Sequence, residues 1–417
     1  MINIINPGEF RKKKRSAIPK AVFENTESII NNISENGFQG VIEYTKKFDG
    51  FELNAQNLRV KEIGKTKLTD LEKKAINEAF ERVNLVQRQI ASNALRESKI
   101  PIDDGFVLFK PKPIERVGIY VPGGLAPLPS SLLMAGITAK AAGVKDIVVC
   151  TPPQKDCISP AIFYLAQRLG ITEIYQIGGA QAIAAMAYGL PNLKKVDMVC
   201  GPGNVYVTAA KQIVSSRGLV KVDLVAGPSE VLIIADETAR ADYVAADMLA
   251  QAEHGTNSPA ILLTTSENLA KDVQVELNKQ LVKTAEKSLV DCGAIILVIN
   301  LQQAIDIAND YAPEHLEILT KDSDQVASKI TNAGAIFINT CESFADYGMS
   351  GGNHILPTGG TAKFLSGLSV YDFLVRTYVE FMSNEEQEKL AELAGTFADI
   401  EGLKAHANAA RFRGRFK

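Results

Sequence analysis

Between Val117 and Asn339 the chain alternates short apolar runs with helical stretches, and no other feature of the sequence restricts the fold as much. The runs are VGIYV (117–121), DIVVC (146–150), EIYQI (173–177), VDMVC (196–200), VLIIA (231–235), AILLTT (260–265), AIILVI (294–299), HLEILT (315–320) and AIFIN (335–339). Helical segments such as 131–142, 159–169, 204–216 and 240–252 lie between them. A helix between successive strands carries the chain back so that the strands pair in parallel, with helices covering both faces. Nine such strands fit two modest sheets better than one. The flanks read as helical. Thr69 with Glu72 makes a capping box ahead of apolar residues at helical spacing from Asp70 to Ala94, and the last fifty residues return to amphipathic helix in LAELAG and LKAHANAARFR. No repeat of fixed period, low-complexity tract or Gly/Ser-rich linker interrupts this order.

Composition narrows the function classes. With 417 residues and 46% apolar side chains the chain can bury a large core divided over two or more domains. Basic and acidic residues nearly balance, 45 against 48, which argues against a dedicated nucleic-acid binder. The basic run Arg11–Arg15 and the C-terminal RFRGRFK read as solvated ends rather than nucleic-acid arms. No apolar stretch approaches the roughly 18–20 residues of a membrane helix, and MINIINPGEF lacks the features of a signal peptide, so the expectation is a cytoplasmic protein without membrane or nucleic-acid partners. Cys150, Cys157, Cys200, Cys292 and Cys341 are odd in number and show no CxxC spacing, so neither a disulfide framework nor a cysteine zinc site is indicated.

Ligands of doubly wound folds bind beyond the carboxyl ends of the strands, and three such loops are glycine-rich here: VPGG (121–124), IGGAQAIAAMAYG (177–189) and GPGN (201–204), with AGPSE (226–230) as a fourth. Each alone also fits a structural turn, and none has the dinucleotide fingerprint, because Tyr206 stands where a third glycine belongs. In succession they point to a nucleotide or cofactor cleft. The four histidines are the second signal. Gln251 and His254 stand three apart at the expected end of a helix capped by Gly255, a pair able to offer two ligands to one metal. Glu314 and His315 adjoin at a loop-to-strand junction, where a carboxylate beside an imidazole suits proton transfer. Asp346 and His354 bracket a glycine-rich loop, and Glu401 and His406 fall in EGLKAH near the C-terminus. A core or solvated histidine is the plainer reading of each alone.

GIYVPGG, GGAQAIAAMAYG, GPGN, AGPSEVLIIADE, QAEHG, PEHLEI, NHILPTGG and EGLKAH follow one another in the order and spacing of the histidinol dehydrogenase family, which the chain resembles from about residue 20 to 410. The run from AGPSEV through QAEHG is the most specific part. The resemblance implies an α/β fold of two incomplete Rossmann-like parallel-sheet domains with small helical N- and C-terminal pieces. Its boundaries would be an N-terminal segment 1–19, a larger discontinuous domain 20–117 plus 230–366, an NAD-binding domain 118–229, and a C-terminal segment 367–417. It implies a homodimer with shared sites, in which the C-terminal segment bearing Glu401 and His406 completes the partner's site.

The activity implied is oxidation of L-histidinol to L-histidine through L-histidinal, the last steps of histidine biosynthesis, with two NAD used in turn and one Zn2+ per subunit. By the same resemblance Tyr120, Gln181 and Asn204 match NAD contacts, and Gln251, His254, Asp346 and His406 match zinc ligands. Ser229, His315, Asp346 and Glu401, with the zinc ligands, match substrate contacts, while Glu314 and His315 match the catalytic pair. Residue types agree: His315 can take the hydroxyl proton as hydride leaves, and Glu314 can activate water against the aldehyde. A thiohemiacetal on Cys200 or Cys341 is the route of a different enzyme class and is set aside. One stretch departs from the family pattern. Ala345 replaces the usual glycine before Asp346, and His354 follows Asp346 by eight positions instead of seven, so Glu342 or a water stands as the alternative to Asp346 on the metal. Another small alcohol, such as a sulfonated diol, and a catalytically silent metabolite-binding scaffold are the competing functions.

Overall fold

All nine apolar runs form strands, and they divide between two parallel sheets. A computed structural model describes residues 2–10, 18–61, 67–123, 127–154, 158–224 and 227–414. The run Arg11–Arg15, Gly124 of the first glycine loop, Cys157, Ala226 of AGPSE and the end of RFRGRFK lie outside those residues. Arg116–Tyr120, Asp146–Thr151, Glu173–Gln176, Met198–Cys200 and a short Lys221–Val222 make the first sheet, and every pairing in it is parallel. Val231–Ala235, Ala260–Thr264, Ala294–Leu297, His315–Leu319 and Ala335–Ile338 make the second, to whose edge Ile4–Ile5 adds one more parallel strand. Counted along the chain, the five long-order strands of each sheet lie side by side as 3-2-1-4-5, the order of an incomplete Rossmann unit. The same wiring therefore occurs twice.

Each sheet is buried on both faces, which is why its strands read as continuous apolar runs instead of alternating ones. In Val231–Ala235 all five residues are buried; Leu232 and Ile234 enter one core, while Val231, Ile233 and Ala235 enter the other. The helices between strands start close to the expected positions, at Pro129–Ala141, Pro160–Arg168, Val205–Ser216 and Ala241–Ala252. The N-terminal helices Lys20–Asn36 and Phe38–Asp49 pack on the helices Gly179–Tyr188 and Val205–Ser216 of the first sheet. Asp70–Ala94, with its Thr69–Glu72 capping box, lies against Pro129–Ala141 on the opposite face.

The C-terminal region differs from an all-helical expectation. Leu374–Met382 is a strand that pairs antiparallel along its whole length with Gly105–Pro113, which in turn pairs with Ser98–Ile102. Only after this ribbon does the chain form the helices Asn384–Ile400 and Lys404–Arg413, which pack on each other. The ribbon's strands are largely exposed, with Ile100, Ile102, Val375, Tyr378 and Phe381 facing outward.

Candidate active site

The first strand residue of His315–Leu319 is His315, in register between Val231 and Ala335, so its imidazole sits at the amino edge of the second sheet. Its backbone N–H donates to the Glu230 carbonyl at 3.1 Å, and the Glu230 N–H donates to Glu314 Oε2 at 2.9 Å. The Glu230 carboxylate accepts from Tyr311 and from the Gly359 N–H, each at 3.0 Å, and so ties AGPSE, PEHLEI and LPTGG into one unit. Around the ring, Nδ1 lies 3.0 Å from Glu342 Oε2 and 3.4 Å from Gln251 Oε1. Nε2 has no hydrogen-bond partner and lies 3.9 Å from Asp346 Oδ1; the other oxygen of Asp346 is 3.8 Å from His254 Nε2. His315, Glu314, Glu342 and Gln251 are all buried.

Burial alone would lower the His315 pKa, but Glu314, Glu342 and Asp346 outweigh it and push it up to about 10. Burial pushes Glu314 up to about 8, against the pull of His315 and of the Glu230 N–H. His354, next to the same group, is pulled down by burial, opposed first by Asp346, and its Nε2 has no hydrogen-bond partner. The cysteines offer no ready thiolate: Cys200 is buried and pushed well above the usual thiol range, and burial also raises Cys341.

The glycine loops occupy the carboxyl edge of the first sheet. Tyr120 ends its strand, and its buried phenol accepts from the Gly179 N–H at 3.1 Å, at the start of the helix Gly179–Tyr188. Buried Gln181 lies in the first turn of that helix and donates to Asp49 Oδ2 at 3.3 Å. Asn204 caps the helix Val205–Ser216, accepting from the N–H groups of Tyr206 (3.0 Å) and Val207 (3.1 Å), which leaves its side-chain N–H2 to donate elsewhere. Gly201 is anchored from below: its N–H donates to Asp223 at 2.8 Å and its carbonyl accepts from Lys211 at 3.0 Å, and Lys211 and Asp223 form a buried ion pair. Tyr120 and Gln181 thus meet at one helix start, with Asn204 on the adjoining GPGN loop.

The remaining expected residues divide into those that join the His315 group and those that do not. Helix Ala241–Ala252 ends before the expected Gly255 cap, so Gln251 is in its last turn and His254 lies just beyond, where the His254 N–H donates back to the Gln251 carbonyl at 3.3 Å. Gln251, His254 and Asp346 join His315; Ser229 is half-buried directly before Glu230. Glu401 and His406 are exposed, one at the end of Asn384–Ile400 and one in Lys404–Arg413, and no hydrogen bond or ion pair ties either to the group among the described residues. Also among the described residues, no three His, Cys, Asp or Glu side chains gather as a complete metal site would. The donors that do gather, an amide oxygen, an imidazole and a carboxylate, fit zinc as three of four ligands. They lie at a helix C-terminus, whose partial negative charge favours a cation. Glu342, named from the sequence only as an alternative to Asp346 on the metal, and His354, named only as flanking a glycine-rich loop, both stand next to the His315 group. The signal for Glu342 was its place four residues before Asp346, which on a short helix puts both on one face.

Glycine-rich loops at the carboxyl edge of one parallel sheet and a buried carboxylate–imidazole group on the other fit the class of α/β dehydrogenases. The family model "Histidinol dehydrogenase" matches residues 12–414. The chain is 41% identical to the histidinol dehydrogenase of Lactococcus lactis subsp. lactis (96% of this chain, 94% of that one) and 46% identical to that of Heliobacterium mobile (92% of each). It also superposes on the crystal structure of histidinol dehydrogenase from Elizabethkingia anophelis with a TM-score of 0.89, at 36% identity and covering 98% of this chain and 96% of that one. The chain belongs to the histidinol dehydrogenase family, NAD-dependent oxidoreductases of histidine biosynthesis.

Proposed function

We propose that the chain oxidises L-histidinol to L-histidine through L-histidinal with two NAD in succession, as a cytoplasmic homodimer holding one zinc ion per subunit. The observation that carries the mechanism is the unpartnered Nε2 of buried His315, next to Glu314 and facing Asp346. In the first step His315 in its neutral form, the form that prevails above its raised pKa, takes the hydroxyl proton while hydride passes from the alcohol carbon to NAD, leaving the aldehyde. In the second, Glu314 takes a proton from water as the water adds to the aldehyde, and the hydrate gives its hydride to a fresh NAD, leaving the carboxylate. Gln251, His254, Asp346 and His406 would hold the zinc, which when bound supplies a Lewis acid for the nitrogens of the substrate. Tyr120, Gln181 and Asn204 would contact NAD, the last through its free side-chain N–H2. Ser229 and Glu401 would contact histidinol.

Exposure of Glu401 and His406 supports the shared site, because within one chain they stand apart from the residues they are meant to join. Outward-facing Leu393, Phe397, Ile400 and Phe412 on the same helices give a second chain an apolar surface to cover. The test is turnover: zinc-loaded protein given L-histidinol and NAD should yield two NADH and one histidine per histidinol. No NADH, with zinc content verified, would overturn the substrate.

A further inference from the structure

We propose that Glu342 is a positioning residue for His315, holding the imidazole in the tautomer whose Nε2 lone pair faces the substrate; this rests on the reading of His315 as the base. A neutral imidazole carries one N–H, and its partner decides which nitrogen keeps it. Nδ1 has two acceptors within reach, Glu342 Oε2 at 3.0 Å and Gln251 Oε1 at 3.4 Å, so the proton belongs on Nδ1, with the charged and nearer Glu342 the stronger hold on it. Nε2 is then left with its lone pair, buried and without a hydrogen-bond partner, on the side of Asp346. Glu342 and Asp346 therefore address different nitrogens of the same ring.

Glu342 is itself fixed from behind. Its backbone N–H donates to Glu317 Oε1 at 2.8 Å, and Glu317, in the middle of the strand His315–Leu319, is hydrogen-bonded to Asp247 on the helix Ala241–Ala252. Asp247 in turn is hydrogen-bonded to Cys341, next in sequence to Glu342. Burial, then the charges of Asp247 and Glu342, pushes Glu317 well above the usual carboxyl range. A carboxylate only 1% exposed is costly to bury and is retained where it has an oriented partner, and His315 Nδ1 at 3.0 Å supplies one. Carboxylates behind imidazole bases play this part in unrelated enzymes, where the matching amide favours the wrong tautomer and slows catalysis with the geometry intact.

The experiment is a double-mutant cycle on the zinc-loaded full chain with Glu342→Gln, His315→Asn and the two combined. Glu342→Gln should lower kcat by about 100-fold or more, with KM for histidinol, zinc content and thermal melting unchanged. The combined variant should be no slower than His315→Asn alone, because Glu342 acts through the ring that His315→Asn removes. Unchanged kcat in Glu342→Gln, loss of zinc, or a combined effect equal to the product of the single ones would each overturn the proposal. If His315→Asn itself keeps full kcat, the reading of His315 as base fails first and takes this one with it. Should Glu342→Gln not fold, Glu342→Asp, which keeps the charge on a shorter arm, is to show the same fall in kcat at constant KM; full activity in that variant would overturn the proposal.

Discussion

Glu314 has a folded-state pKa of about 8 against an ordinary value of 4.5, so between those values folding requires it to take up a proton that the unfolded chain has released. Its contribution is therefore unfavourable, and grows as pH rises through that window. Glu314→Gln keeps an oxygen to accept from the Glu230 N–H and removes the titration, so it should be about 1–3 kcal/mol more stable than the parent near pH 8. The gain should vanish below about pH 4, as read by thermal melting at both pH values. The same variant should stall after the first oxidation, with NADH per histidinol falling from two toward one. A residue that costs stability at working pH is what a functional site retains and a core does not. Much of this group was legible in the sequence, since Gln251, His254, Glu314, His315 and Asp346 carry motif positions and the fold gathers them. Glu342 was legible only as an alternative ligand, because a carboxylate behind a ring reveals its use through a distance and not through a motif.

The element that holds the first sheet's loops in place is the turn at Gly201. Its φ of +113° suits glycine alone, and a Cβ there would collide with the Tyr120 carbonyl oxygen. Gly201→Ala should therefore cost about 1–3 kcal/mol and raise KM for NAD more than KM for histidinol; steady-state kinetics with each substrate varied in turn would check it. Strands were the most legible elements, because burial on both faces leaves unbroken apolar runs such as VLIIA and AIILVI. The antiparallel ribbon was not legible. SKIPI and GFVLFKPKP carry prolines and charges that argue against strands, and LVRTYVEFM, the second partner of GFVLFKPKP, lies some 260 residues further on, so only the pairing makes them a sheet. The glycine loops do lie at the carboxyl ends of their strands, where the rule for doubly wound folds puts ligands. That rule missed His315, which starts its strand and works with the C-terminal end of a helix, where cations rather than phosphates are favoured.

At the scale of the whole molecule, the proposed sharing of sites between subunits makes a prediction that no single-chain reading would. Subunits carrying His315→Asn and subunits carrying His406→Ala should each be inactive alone. After unfolding together and refolding as an equal mixture, the hybrid dimer has one site with both native residues, and activity should return to roughly a quarter of the unaltered protein's. No recovery, with hybrid dimers demonstrated, would place His406 in its own subunit's site or outside any site. The packing of the N-terminal helices on the first sheet was likewise beyond the sequence, because an apolar helix face does not say which surface it will cover. The repeated 3-2-1-4-5 order carries a historical consequence. Residues 116–222 and 231–338 are nearly equal in length and run the same path, as two copies of one ancestral stretch would after a gene joined itself end to end. On that reading the copies divide the labour: the first carries glycine turns at its carboxyl edge, and the second an imidazole at its amino edge.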